Sequence, residues 1–275
     1  LEQIRFCARP ARAAARLPLV RSAFRLLRAL PGGTALLNTV LGYQRVYATL
    51  PEAQRALAPY ANFGHQHPDA VTLHINLNVT ARPSDRIAFC HIEPLLAELR
   101  TVYDVGGNAG NLYFCYKNYL TFRPDLVWTV NDLPAPIAAG RALAVERGEY
   151  SLKFTDRWEE ASGTDLMLIS GALHYFEEPL ASRLHRLKQK PRYILINRTP
   201  LTARPTVGAV QDAGTYQVAC LLLNRDTLIQ GLLEIGYNLL DSWRCEELNF
   251  TVPANPDYDV GAYSGLWFRL RDDEL

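Results

Sequence analysis

The chain has 275 residues, with 29 Lys and Arg against 28 Asp and Glu, a formal charge of +1. That balance supplies no basic surface to draw the protein to nucleic acid, and none is expected as a partner. No apolar run reaches the roughly 18 residues of a membrane-spanning helix, and the five cysteines are scattered without C-x-x-C spacing, which argues against structural zinc and fits a reducing, cytoplasmic setting.

Residues 1–60 read as helical. Leu17, Val20, Phe24 and Leu27 recur at three- and four-residue spacing, and Arg9, Arg12, Arg16, Arg21, Arg25 and Arg28 crowd the same stretch. Such a helix either lies peripherally on an anionic membrane or turns a solvated face outward. Pro31-Gly32-Gly33 breaks it, and a second helix is expected from Thr34 to about Ala58. His65 and His67 lack a third ligand, so no metal site is expected. Val71 to Val79 alternates like a half-buried strand, and a helix from Asp85 to Leu99 follows, interrupted by Pro94.

From Val102 the pattern becomes strand, helix, strand. Strands are expected at Val102–Val105, Leu126–Asn131, Ser151–Thr155, Asp165–Ser170, Arg192–Asn197, Tyr237–Cys245 and Leu266–Leu270. Helices are expected at Leu112–Leu120, Pro134–Gly148, Glu178–Gln189 and Leu228–Ile235, and a long loop from Arg198 to Tyr216, a lid candidate containing Arg204, Gln211 and Asp212. Alternating elements with apolar strands make an α/β, doubly wound, mostly parallel sheet covered on both faces. A ligand then sits beyond the carboxyl ends of the strands, where their order reverses.

The first strand ends in Asp104-Val105-Gly106-Gly107-Asn108-Ala109-Gly110. Glycines let the backbone bend sharply and approach a ligand closely. The G-G-x-x-G spacing is not the G-x-G-x-x-G of dinucleotide sites. The second strand ends at Asp132-Leu133-Pro134. A carboxylate there can accept both hydroxyls of a ribose, or cap the next helix. The third strand ends at Asp156-Arg157-Trp158, where Asp156 could accept an adenine amino group and Trp158 or Leu133 could cover the ring. The fourth ends at Ser170-Gly171-Ala172-Leu173-His174-Tyr175-Phe176. His174 there either removes a proton from an attacking hydroxyl or only shapes the pocket. Tyr113 and Tyr116 are candidates for the acceptor wall.

The acidic-x-G-G run, the D-L-P triplet and the L-H-Y-F stretch occur in the order seen in class I S-adenosylmethionine-dependent methyltransferases, and the chain resembles that family. G-G-N-A-G, S-G-A-L-H-Y and I-N-R-T-P make it similar to uncharacterised bacterial methyltransferases, some of them associated with surface-polysaccharide genes. The resemblance implies a Rossmann-like, seven-stranded sheet with an antiparallel last strand over residues 85–275. The helical pattern before it marks residues 1–84 as a mainly helical N-terminal extension. The resemblance also implies S-adenosylmethionine at Asp104, Gly106, Gly107, Gly110, Asp132 and Asp156. Asn108, Leu133, Arg157 and Ser170 at the same strand ends complete the candidate cofactor set. The implied activity is methyl transfer to a hydroxyl of a small molecule or sugar, with His174 as candidate base. An inactive fold serving as a binding scaffold is the alternative. The third glycine of the usual turn is displaced: Asn stands at 108 and glycine returns at 110.

Overall fold

The computed structural model describes residues 17–28, 30–33, 36, 42–58, 80–212 and 217–272. The expected strand over 71–79, the His65 and His67 pair, Arg9, Arg12, Arg16 and Tyr216 lie outside the described residues. The chain condenses into two units. One comprises Leu1–Asn62, Pro200–Asn224 and Asn249–Gly261; the other comprises Phe63–Thr199, Arg225–Leu248 and Ala262–Leu275. Among the described residues no helix is long and apolar enough to cross a membrane.

In chain order, α1 (Pro18–Arg28) packs Phe24 and Leu27 against Ala254 and leaves Leu19 and Leu26 exposed. α2 (Leu50–Leu57) begins where Thr49 Oγ1 accepts the Glu52 N–H and Pro51 occupies the first turn. The helix expected from Thr34 to about Ala58 is not continuous: residues 42–49 form turns, and Tyr47 bridges to Gly208. α3 (Pro83–Ile92) runs into a single 3-10 turn at Glu93–Leu95, because Pro94 cannot continue the α-helical bonding.

Next come β1 (Thr101–Val105), α4 (Asn111–Tyr116), β2 (Val127–Asn131), α5 (Pro134–Glu146), β3 (Leu152–Thr155), β4 (Leu166–Ser170), α6 (Leu180–His185) and β5 (Tyr193–Thr199). The segment expected to be a loop instead holds β6 (Leu201–Thr202) and β7 (Val207–Asp212), and β8 (Gln217–Asn224) pairs antiparallel with β7. α7 (Arg225–Glu234), β9 (Tyr237–Cys245) and β10 (Tyr263–Leu270) complete the chain.

The larger unit is a seven-stranded sheet ordered β3-β2-β1-β4-β5-β10-β9. β3, β2, β1, β4 and β5 pair in parallel, and β10 runs antiparallel to both β5 and β9. This is the Rossmann-like, mostly parallel sheet with a reversed last strand that was expected. Leu166, Leu168 and Ile169 of β4 and Ile194, Leu195 and Ile196 of β5 are fully buried, the mark of strands covered on both faces. Chain order passes from β1 outward to β2 on one side and to β4 on the other. The ends of β1 and β4 therefore form the switch point at which such sheets take ligands.

The smaller unit holds a three-stranded sheet ordered β6-β8-β7, with α2 packed on β7 and β8. The approach is close at Gly208, where a Cβ would lie 2.3 Å from the Thr49 carbonyl oxygen. A strand that must accept a helix backbone so closely cannot carry bulky residues there. Its sequence, Val207-Gly208-Ala209-Val210, therefore lacks the β-branched alternation by which strands are recognised.

Candidate functional site

A cavity of about 320 Å³ opens above the ends of β1, β2, β4 and β5. Of the residues singled out from sequence, Gly106, Gly107, Asn108, Asp132, Leu133 and Ser170 line it. Its walls are completed by Asn111, Leu112, Pro136, Gly171, Ala172, Tyr175, Phe176 and Arg198.

The floor is the turn after β1. Gly106, Asn108 and Gly110 have φ values of 70°, 54° and 86°, the left-handed region in which glycine carries no penalty and asparagine is tolerated. Asn108 thus takes the place of the displaced glycine, and its Oδ1 accepts the Ala109 N–H at 2.8 Å. At Gly106 a Cβ would lie 2.4 Å from the Ala172 Cβ, so only glycine lets β1 and the segment after β4 approach.

Asp132 follows β2 and faces this turn. Its Oδ2 accepts the Asn108 N–H and its Oδ1 the Leu133 N–H, both at 2.7 Å. The cap residue of α5 is Leu133, so Asp132 steadies the glycine turn. Each carboxylate oxygen keeps a lone-pair direction for another donor. Burial raises the Asp132 pKa, opposed by those two backbone bonds. The preceding Asn131 is turned into the protein, its Nδ2 donating to the Thr155 carbonyl.

Asp104 is fully buried and is not a lining residue. It lies under the turn: a Cβ on Gly107 would come within 2.4 Å of its Oδ2. Trp128 Nε1 donates to that oxygen at 3.2 Å, while Oδ1 has no hydrogen-bond partner among the described residues. Burial, with the nearby Asp132, pushes its pKa up to about 7 against the pull of Trp128 and Arg198. An unfolded aspartate titrates near 3.9, so between about pH 4 and pH 7 the native state holds a proton that the unfolded chain has released. Stability therefore falls as pH rises through that window, by on the order of 4 kcal/mol in all. Urea titrations at pH 4.5 and 7.5 should show this slope in the wild type and a flatter one in Asp104→Asn. Equal slopes would mean that Asp104 is ionised throughout.

Other expected residues fall elsewhere. Gly110 caps α4, and a Cβ there would meet Leu152. Asp156 and Arg157 are exposed beyond β3, outside the cavity lining. The Trp158 indole has Arg183 stacked on its ring at 3.9 Å and donates to the Arg183 carbonyl. One face is therefore taken, whereas Leu133 lines the cavity. Tyr113 and Tyr116 are buried away from it, donating to Glu149 and Asp85 respectively, so the expectation that they form the acceptor wall does not hold. His174 is 1% exposed and packs against the rings of Tyr175 and Tyr263; Tyr175 lines the cavity and His174 does not.

Arg198 was not singled out from sequence. Its side chain is 6% exposed and its backbone is left-handed, with φ 54°. Nη1 donates to Asp85 Oδ2 at 3.0 Å and Nε to Ser170 Oγ at 3.1 Å. The readable signal was a charged residue closing the apolar run of β5.

Comparison with solved structures finds a Burkholderia thailandensis 1,6-didemethyltoxoflavin-N1-methyltransferase with bound 1,6-didemethyltoxoflavin and S-adenosylhomocysteine. It is 19% identical, with a TM-score of 0.46, covering 77% of this chain and 93% of that one. An S-adenosylmethionine-dependent methyltransferase from Aquifex aeolicus is 14% identical, with a TM-score of 0.47, covering 74% and 99%. The [4+2]-cyclase SpnF is 14% identical, with a TM-score of 0.47, covering 82% and 97%. No protein-family model matches the sequence, and no curated protein matches it.

Proposed function

We propose that the protein is an S-adenosylmethionine-dependent methyltransferase acting on a hydroxyl of a small molecule or sugar. The observation that carries this reading is Asp132. It is a carboxylate oriented by two backbone N–H groups at the edge of a cavity floored by a left-handed glycine turn. The residues present fit the cofactor. Asp132 has lone pairs for two ribose hydroxyls, Leu133 offers an apolar face for adenine, and Gly106 and Gly107 leave room for the amino-acid tail. The Oδ1 of Asp104 beneath the turn has no hydrogen-bond partner among the described residues, and a ligand carrying an ammonium and a sulfonium would favour the ionised form of this carboxyl.

When bound, the cofactor supplies a methyl group already activated by the sulfonium. The chain then has to hold the acceptor in line and keep water out. Tyr175, Phe176, Leu112 and Pro136 provide an apolar wall for that purpose, and Ser170 and Asn111 provide hydrogen-bonding groups. His174, one ring away from the cavity with 4.1 Å between its centroid and that of Tyr175, is the proposed proton acceptor for an oxygen nucleophile. In this reading the catalytic domain is residues 85–275, and the smaller unit's segments within that range serve as insertions.

The test is calorimetric titration with S-adenosylhomocysteine, together with tritium transfer from labelled cofactor to a panel of phenols and sugars. Saturable binding with transfer is expected, and transfer is expected to fall in His174→Gln with binding retained. The absence of heat at millimolar ligand would end the reading. Binding without transfer to any acceptor would favour a scaffold of the same fold.

A further inference from the structure

The guanidinium of Arg198 is buried, yet its bonds within the chain are incomplete. It carries five N–H groups. Nε is engaged by Ser170 Oγ and Nη1 by Asp85 Oδ2, whereas Nη2 has no hydrogen bond to any described residue. Arg198 is also a lining residue of the cavity. Its support is rigid. Asp85 accepts from the Arg82 N–H at 2.9 Å and from the Tyr116 hydroxyl at 2.8 Å besides Arg198, so this carboxylate is fixed in place. Ser170 ends β4, and β4 pairs Ser170 with Asn197, the residue before Arg198.

Asp132 follows β2 and Arg198 lies near the end of β5, with β1 and β4 between them in the sheet. Three strand spacings separate them, roughly 14 Å at about 4.8 Å each. The cavity thus has a carboxylate toward one end, suited to hydroxyls, and a held guanidinium toward the other. A planar fork of N–H groups with a positive charge matches a carboxylate, which can accept two parallel bonds from it.

We propose that Arg198 is a carboxylate-binding residue of this cavity, held by Asp85 and Ser170 so that its remaining N–H groups face the ligand. The inference rests on the cofactor reading above. The carboxylate comes either from the amino-acid tail of the cofactor or from the methyl acceptor, which would then be a small organic acid.

Binding of two nucleosides separates the sources. S-Adenosylhomocysteine carries the amino-acid tail, and 5′-methylthioadenosine has the same nucleoside and thioether without it. Arg198→Lys keeps a positive charge beside Asp85 and loses the fork. If the tail is the partner, Arg198→Lys should bind S-adenosylhomocysteine about ten- to a hundred-fold more weakly, the range for charge-assisted hydrogen bonds, with methylthioadenosine unchanged. If the acceptor is the partner, both nucleosides bind Arg198→Lys as they bind the wild type. Benzoate then binds wild type saturated with S-adenosylhomocysteine and fails to bind the variant. Should Arg198→Lys not fold, as judged by its melting transition, Ser170→Ala gives the same comparisons in milder form, since it removes only the Nε acceptor. Wild-type affinity for both nucleosides, with benzoate bound equally by wild type and variant or by neither, overturns the proposal. Failure of methylthioadenosine to bind the wild type counts against the nucleoside reading instead, and benzoate on the ligand-free proteins still reads Arg198.

Discussion

Asp132→Ala should weaken S-adenosylhomocysteine binding by about 10²–10⁴-fold, the loss of two charge-assisted hydrogen bonds to a ribose diol at about 1.5–3 kcal/mol each. The same substitution frees the backbone N–H groups of Asn108 and Leu133, so part of the loss reflects a looser glycine turn. Asp132→Asn separates the two effects. Its single carbonyl oxygen cannot serve both backbone donors and a diol at once, so it should fall between wild type and Asp132→Ala. Isothermal titration gives the affinities, and a melting curve shows that the fold is kept. Unchanged affinity in Asp132→Ala would remove Asp132 from the site.

The largest expected effect on stability comes from Asp85→Asn. Asp85 and Arg198 form an ion pair with side chains only 2% and 6% exposed. Removing one charge from such a pair leaves the other buried and uncompensated, which costs about 3–5 kcal/mol. Asparagine keeps the size of the side chain and an oxygen for the Arg82 N–H or the Tyr116 hydroxyl, so most of the loss is attributable to charge. The double variant Asp85→Asn, Arg198→Met should recover a large part of it, because neither member of the pair then carries a charge. Urea denaturation measures both. A loss below about 1 kcal/mol in Asp85→Asn would mean that water reaches the guanidinium in solution.

The strands of the central sheet were readable because burial on both faces demands uninterrupted apolar runs such as Leu166-Met167-Leu168-Ile169. The glycine turn and Asp132 were readable because turn, helix start and carboxylate lie on one short stretch of chain. The β7–β8 hairpin was not, since Gly208 and Ala209 serve close packing by α2 and erase the alternation that signals a strand. Nor was the ion pair: Asp85 and Arg198 are 113 residues apart, and only the adjacency of α3 and β5 in the fold brings them together. For His174 the place in the chain was readable and the side chain's depth was not. Its place after β4 suggested a side chain at the strand tops, but the 3-10 turn over Leu173–Tyr175 puts Tyr175 on the cavity and His174 in the interior.

The decisive experiment is a crystal grown with S-adenosylhomocysteine. Its electron density should place the nucleoside across the ends of β1 and β2, with the ribose hydroxyls within hydrogen-bonding distance of the Asp132 carboxylate and the amino-acid tail over Gly106 and Gly107. A nucleoside bound elsewhere, or one in this cavity whose ribose leaves Asp132 with only its backbone partners, would contradict this placement.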